Sequence, residues 1–395
     1  MRGEAHSQTT MNSDAHYMSH ALALAERGTA LASPNPLVGA VLVQDGNIVG
    51  EGFHTYDGRK HAEILAIEQA GDAACGATLY VNLEPCCHDG RTGPCSGAIL
   101  AAGIKKVVAA LPDPNPLVSG KGLEILRQAG LEVEVGVCED QAKRLNDSFA
   151  RYIRSGLPFV TLKTAMTLDG KIAAPDDNSG WVTSEAARAH VQRQRHAHDA
   201  IFTGIGTVLA DDPLLTDRSG LPRRRPLLRV VMDSRLRIPS SARLLTEVND
   251  DLLIFTLPSA DPARRRNLEH RGVQVCIMDG ETWSQASRPV QEPEAMPAPR
   301  PDLRKVLEYL GRRELTSVLL EAGAGLNGAA LDAGLVDKVF LYYAPKILGG
   351  ADSLPMATGR GVRAMPDARP VSGIRRYDFG PDFAVEGYLR DVYEE

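Results

Sequence analysis

The sequence predicts an α/β protein of two domains. Three observations lead there: strand-like and helix-like segments alternate through both halves, 395 residues exceed what one hydrophobic core usually organises, and a Gly156-Leu-Pro158 break separates the two series. Hydrophobic residues make up 43% and charged residues 24%, as in ordinary globular chains, and no apolar run approaches the roughly 18 residues of a membrane span. No membrane partner is expected on that ground, and a formal net charge of −6 offers no footprint for a polyanion, so nucleic acid is a disfavoured substrate. The opening MRGEAHSQTT has neither the apolar core of a secretory signal nor the arginine density of a transit peptide. Residues 1–13 are expected to be a disordered tail, and the location cytoplasmic.

From Asp14 a helix is expected, because Met18, Leu22 and Ala25 recur at helical spacing and Gly28 can end it. Residues 40–50 read as a hairpin about Asp45-Gly46, a strong short-range turn signal. A helix at 61–70, a strand at 77–83, a helix at 96–102, a strand at 106–110, a helix at 122–129 and a strand at 132–137 follow, and 141–154 reads as one helix. These make a first domain of 14–155. The second, 156–395, opens with a strand at 159–164. It continues with a helix at 184–196, strands at 200–203, 228–232, 251–256 and 273–277, a helix at 303–310 and a strand at 317–321. It is not a repeat of the first. The stretch 281–301, rich in Pro, Ser and Glu without apolar periodicity, is expected to be a mobile surface loop.

Cys75, Cys86, Cys87 and Cys95 cluster while Cys138 and Cys276 stand alone, a distribution that suits metal better than a disulfide framework. His61-Ala-Glu63 opens a predicted helix, Pro85-Cys86 follows a strand, and Pro94-Cys95 leads into the next helix, where exposed amides favour a thiolate. One His and two Cys make three zinc ligands, leaving a fourth position for water, whose pKa the metal lowers to about 7. Glu63, two residues from a ligand, would carry the proton from water to a leaving amine, as in zinc deaminases with an H-x-E signature. Cys86 and Cys95 are separated by eight residues where that signature has two. Cys87 or His88 could substitute as a ligand, but only Cys86 follows the proline; Cys75 is expected to be a buried thiol.

Gly323-Ala-Gly325-Leu-Asn-Gly328 follows a predicted strand and fits the dinucleotide fingerprint G-x-G-x-x-G. That fingerprint belongs to the first strand of a Rossmann domain, and here it arrives near the last. What remains is a helix start of small residues whose amides can approach a pyrophosphate. Gly204-Ile-Gly206-Thr207 is a weaker case.

His61-Ala-Glu63 and Leu83-Glu-Pro-Cys86-Cys-His88-x-Gly90-Arg91-Thr92-x-Pro-Cys95, with Pro34-Asn35-Pro36-x-Val38-Gly39 and Asp113-Pro-Asn115-Pro116, resemble the bifunctional riboflavin-biosynthesis deaminase/reductases. The long cysteine spacer is itself a mark of that family. The resemblance continues through Lys163-x-Ala165-x-x-Leu168-Asp169-Gly170, Gly180-Trp181-Val-Thr183, Thr207-Val-Leu-Ala-Asp211-Asp212-Pro213, Val231-Met-Asp233-Ser234-Arg235, Glu321-Ala-Gly323 and Ala344-Pro345-Lys346. Three positions depart: Cys87 stands for the usual serine, Gly93 for a proline, and Ala322 for a glycine.

The resemblance implies a cytidine-deaminase-like three-layer αβα domain, then a dihydrofolate-reductase-like α/β domain. The first would convert 2,5-diamino-6-(5-phosphoribosylamino)pyrimidin-4-one to the corresponding uracil, with one zinc ion on His61, Cys86 and Cys95. The second would use NADPH to reduce the ribosyl group to ribityl. Cofactor contacts are expected at Ala165, Trp181, Thr207, Asp211, Ser234, Gly323, Ala324, Gly325, Leu326, Asn327, Gly328 and Ala329, with Ser234 beside Arg235 suited to a 2′-phosphate. Substrate contacts are expected at Ser179, Arg195, Leu215, Arg218 and Glu321, the two arginines gripping a 5-phosphate. In the deaminase, Asn35, His54 and His88 carry suitable groups for a pyrimidine edge. Lys163 is the expected proton donor for the opening sugar ring, and a homo-oligomer is expected by resemblance. Two rivals remain: a nucleoside, nucleotide or tRNA deaminase fused to an unrelated reductase, and a non-catalytic nucleotide- or RNA-binding scaffold. The cysteine spacer and acidic chain oppose the first, and Glu63 opposes the second.

Overall fold

The structure, a computed structural model, describes residues 3–88, 93–176, 180–281 and 299–394. Ser179 and most of the 281–301 stretch lie outside the described residues. Two compact units result: one of 1–156 together with 222–225, the other of 157–221 and 226–395.

The first unit runs α1 (Gly3–Glu26), β1 (Gly39–Gln44), β2 (Asn47–Phe53), α2 (Ala62–Ala70), β3 (Thr78–Val81), α3 (Cys95–Ala101), β4 (Lys106–Ala109), α4 (Lys121–Gln128), β5 (Glu132–Val135), α5 (Glu139–Leu145) and α6 (Asp147–Ser155). Helix α1 starts at Gly3, so most of the stretch expected as a tail is helical. No proline or glycine interrupts it after Gly3. The hairpin turns at Asp45 (φ 50°) and Gly46 (φ 77°), the left-handed pair that matches strand twist. Among the described residues the sheet has the order β2-β1-β3-β4-β5, with β1 antiparallel to both neighbours and β3, β4 and β5 parallel.

Helices cover both faces of this sheet. On one, the Tyr80 hydroxyl of β3 donates to Asp14 of α1 at 2.5 Å. On the other, Ala40, Leu42, Leu79 and Val81 pack with Ala62 and Ala66 of α2, Ile99 of α3 and Leu126 of α4. At Gly52 a Cβ would sit 2.3 Å from the Ala62 carbonyl, so only glycine lets α2 lie so close to β2. The helix expected over 141–154 is broken at Asn146. Its side chain accepts from Leu37 N (2.8 Å) and donates to Leu37 O (2.9 Å), binding the loop ahead of β1 at the break between α5 and α6.

The second unit contains β6 (Phe159–Thr167), β7 (Lys171–Ala173), α7 (Glu185–Ala197), β8 (Ala200–Gly204), α8 (Ile205–Asp211), β9 (Leu228–Met232), β10 (Leu252–Thr256), α9 (Pro262–His270) and β11 (Gln274–Ile277). It continues with β12 (Gly280–Glu281), β13 (Arg300–Pro301), α10 (Leu303–Arg312), β14 (Ser317–Leu320), α11 (Ala324–Asp332), β15 (Lys338–Ala344), β16 (Leu354–Pro355), β17 (Ser372–Phe379) and β18 (Asp382–Tyr388). Among the described residues the main sheet is ordered β11-β10-β9-β8-β14-β6-β15-β18-β17 and is parallel as far as β15. Strands β18 and β17 then pair antiparallel at one edge.

Alternate residues of these strands enter two cores. Phe202, Val230 and Phe255 pack with Leu307 and Leu310 of α10, whereas Ile201, Val231 and Ile254 pack with Val208 of α8 and Leu268 of α9. Burial on both faces explains why the strands read as continuous apolar runs. β12 pairs antiparallel with β13, fastening the two ends of the stretch expected to be a mobile loop.

Candidate active sites

The first site lies where helix starts meet the carboxyl ends of β3 and β4. His61 caps α2 in extended conformation, and Cys95 is the first residue of α3. The Cys95 amide donates to Cys86 Sγ at 3.3 Å, and Ser96 N donates to Cys86 O at 3.1 Å, so α3 holds the Cys86 loop against it. His61 Nδ1 stands 3.1 Å from Cys95 Sγ and 3.4 Å from Cys86 Sγ. Among the described residues these three form a potential metal-holding group, their ligand atoms all within 4.8 Å of one another. An imidazole and two thiols converging in this way are a zinc donor set.

Glu63 fits the same chemistry. It is buried on the first turn of α2, and its Oε2 has no hydrogen-bond partner among the described residues. Burial raises its pKa, opposed by His61, so the carboxyl can take up a proton more readily than an exposed one. The Cys86 thiol is held down to about 4 by the Cys95 thiol, with help from His61 and the Cys95 amide. Cys95 is pushed up, chiefly by the hydrogen bond its thiol donates to Cys86 and by burial. Cys87 stands outside the cluster and is raised by burial. Cys75 is exposed, contrary to expectation, because it ends the short 3-10 turn after α2 and enters the Gly76 turn.

Asn35 and His54 meet beside the cluster. Asn35 Nδ2 lies 2.9 Å from His54 Nε2, while His54 Nδ1 lies 3.0 Å from the Lys60 carbonyl. This pattern assigns the proton to Nδ1 of a neutral ring. Burial lowers the His54 pKa in agreement, and its ring centre is 5.4 Å from that of His61. His88 is exposed beside residues that are not described. The sequence reading missed Glu84. Its carboxylate accepts from the amides of Asp113 (2.9 Å), Gly120 (2.8 Å), Gly122 (2.7 Å) and Leu123 (3.3 Å), tying the Cys86 strand end to the start of α4. A charged residue between Leu83 and Pro85 at a buried strand end was the available signal. Burial, with Glu84 nearby, pushes Asp113 up to about 6.

The second site is a cleft of about 2820 Å³ over the carboxyl ends of the parallel strands of the second unit. It brings together Lys163, Ala165, Trp181, Arg195, Thr207, Asp211, Leu215, Arg218, Ser234, Glu321, Gly323, Ala324, Gly325 and Leu326. Asn327, Gly328 and Ala329 do not line it. Asn327 donates instead to the carbonyls of Ala322 (3.1 Å) and Met356 (2.9 Å). A Cβ on Gly328 would stand 1.5 Å from the Thr358 carbonyl oxygen, so the last glycine of the fingerprint serves helix packing. Arg235, Arg237 and Arg300 join Ser234 on the cleft wall.

Arg195 does not present a free fork for a phosphate. Its Nε and Nη2 donate to Glu321 Oε1 and Oε2 at 2.8 and 3.0 Å, and Nη1 donates to Thr216 O at 3.1 Å. Lys163 Nζ reaches Glu321 Oε2 at 3.4 Å. Burial alone would raise the Glu321 pKa, but Lys163 and Arg195 overcome it and hold it down to about 2. The carboxylate therefore stays charged and fixes both cations in the floor of the cleft.

A His/Cys/Cys cluster beside a buried glutamate is the site of a zinc-binding deaminase, here joined to a second α/β unit with a large cleft. Family models agree unit by unit: residues 11–111 match the cytidine and deoxycytidylate deaminase zinc-binding region, and 158–375 match the RibD C-terminal domain. The riboflavin biosynthesis protein RibD of Bacillus amyloliquefaciens is 39% identical over 376 residues, covering 95% of this chain and 96% of its own length. The solved structure of Acinetobacter baumannii RibD, form 1, is 38% identical, has a TM-score of 0.80, and is matched over 96% of this chain and 99% of its own. A diaminohydroxyphosphoribosylaminopyrimidine deaminase/5-amino-6-(5-phosphoribosylamino)uracil reductase from Thermotoga maritima is 34% identical, with a TM-score of 0.77 and coverage of 96% and 99%. The chain belongs to the RibD family of riboflavin-biosynthesis proteins, bifunctional enzymes with a cytidine-deaminase-like domain and a dihydrofolate-reductase-like domain.

Proposed function

We propose that the first unit deaminates 2,5-diamino-6-(5-phosphoribosylamino)pyrimidin-4-one to 5-amino-6-(5-phosphoribosylamino)uracil, and that the second reduces the ribosyl group of that product to ribityl. The observation that carries the reading is the partnerless, buried Oε2 of Glu63 beside the ligand atoms of His61, Cys86 and Cys95. Those three residues would hold zinc, which supplies an activated water at neutral pH. With zinc bound, Glu63 Oε2 would take a proton from the water and pass it to the departing amine. Asn35 and His54 orient the pyrimidine edge, with His88 at the rim.

In the second unit bound NADPH supplies the hydride, and Ser234 with Arg235 accommodates its 2′-phosphate. The amides of Gly323 to Gly325 would face its pyrophosphate, and Ala165, Trp181, Thr207 and Asp211 line the cleft that would receive it. Arg218 takes the substrate phosphate, and Leu215 packs against the substrate. Lys163 Nζ would deliver a proton to the opening ring oxygen, with Glu321, itself gripped by Arg195, holding that ammonium in place. We place the enzyme in the cytoplasm, and read it as a homo-oligomer on the apolar Ile374 left 63% exposed on the edge strand β17.

The test incubates the purified protein with the diaminopyrimidine phosphate and follows ammonia and NADPH separately. In Glu63→Gln, ammonia release is lost while preformed uracil is still reduced. Loss of both activities in a folded protein would refute two independent sites.

A further inference from the structure

Residues 222–225 belong to the first unit although they come from far along the chain. Arg224 N donates to Ala30 O at 3.0 Å, and its Nη1 donates to Ser33 O at 2.9 Å. The same guanidinium lies 3.6 Å from the centre of the Tyr56 ring and reaches Asp57 Oδ1 at 3.4 Å. Arg225 Nη2 adds a hydrogen bond to Ser33 Oγ at 3.0 Å.

These contacts fall on two segments with a common purpose. Ser33 lies two residues before Asn35, and Tyr56 two residues after His54. Asn35 and His54 are hydrogen-bonded to each other, 5.4 Å from the His61 ring as measured between the His54 and His61 centres. The far side of the Asn35 loop is already fixed, since Leu37 O accepts from both Asn82 Nδ2 (2.8 Å) and Asn146 Nδ2 (2.9 Å). The Ser33 side has its side-chain anchors in Arg224 and Arg225. One guanidinium, stacked on Tyr56 and bonded to Ser33, thus spans the two segments that the Asn35–His54 pair and the Tyr56 N to Leu31 O hydrogen bond also join.

We infer that Arg224 is a positioning residue of the deaminase pocket, holding Asn35 and His54 in register for the pyrimidine. It touches neither the metal-ligating atoms nor Glu63, so it acts on binding and leaves the proton shuttle alone. The inference rests on the reading of Asn35 and His54 as substrate contacts.

The experiment uses the full chain and compares Arg224→Ala, Arg224→Lys, Asn35→Ala and the Arg224→Ala/Asn35→Ala double variant. It measures deaminase KM and kcat on the diaminopyrimidine phosphate, zinc content, and reduction of preformed uracil. Arg224→Ala raises the deaminase KM roughly tenfold, the size expected for one stacked, hydrogen-bonded cation, with kcat within about twofold. Zinc content and reduction stay unchanged. Arg224→Lys, which keeps the charge over Tyr56, recovers part of the KM and decides the matter if the alanine variant does not fold. In the double variant the second substitution adds little, because both act through one contact. An unchanged KM in Arg224→Ala beside a raised KM in Asn35→Ala overturns the positioning role alone. An unchanged KM in both removes the pocket reading and the inference with it. Loss of zinc, or multiplying effects in the double variant, also overturns the inference.

Discussion

Arg195 closes both arms of its guanidinium on the Glu321 carboxylate, at 2.8 and 3.0 Å. Glu321 is only 10% exposed and titrates near 2, below its ordinary value of 4.5. A carboxylate whose folded pKa is depressed adds stability that is complete above the unfolded value and disappears as pH falls through the folded one. The second unit should therefore lose on the order of 3 kcal/mol between about pH 4.5 and pH 2. Acid titration of its unfolding midpoint tests this: Glu321→Gln should flatten the loss in that window, and an unchanged slope would contradict the assignment.

Lys163 shares that carboxylate and faces the cleft. Lys163→Ala should lower the reductase kcat by about 10²-fold or more, the scale of a lost general acid, with deamination untouched. Stopped-flow oxidation of NADPH on preformed uracil measures it. Full turnover would rule out Lys163 as the donor.

Glu84 satisfies four backbone amides from one buried carboxylate. Glu84→Ala strands those donors and should destabilise the first unit by about 3 kcal/mol or more. Because the same carboxylate anchors the strand end before Cys86, zinc retention should fall with it. Denaturant melts combined with metal analysis check both, and Glu84→Gln should lie between the extremes.

Gly328 presses on the Thr358 carbonyl. Gly328→Ala has to separate α11 from that loop and should cost about 1–3 kcal/mol. NADPH affinity should weaken as well, since α11 carries the Gly323–Gly325 start. Thermal unfolding and cofactor titration would show the two effects together, and a silent substitution would dissociate them.

Local chemistry made much of this legible in the sequence. The Asp45-Gly46 hairpin, the apolar parallel strands and the His61, Glu63, Cys86 and Cys95 pattern each follow from residues close together in the chain. Partners brought from a distance were not legible. Asn146 looks like an ordinary helical residue until Leu37 claims its side chain, and Arg195 looks like a phosphate ligand until Glu321 takes its fork. Glycine spacing in 323–328 carries no mark telling a cofactor glycine from a packing one. Strand β17 escaped because, at the sheet edge and almost wholly exposed, it shows little apolar patterning.

The long excursion of chain before 222–225 sets a timetable for synthesis. Domains tend to fold from the N-terminus as they emerge, at about 5–20 residues per second. The first unit cannot be completed when Gly156 appears, because its last four residues have yet to be made. For several seconds to roughly a quarter of a minute at those rates, the nascent protein carries a deaminase fold whose Ser33 and Tyr56 segments still wait for Arg224.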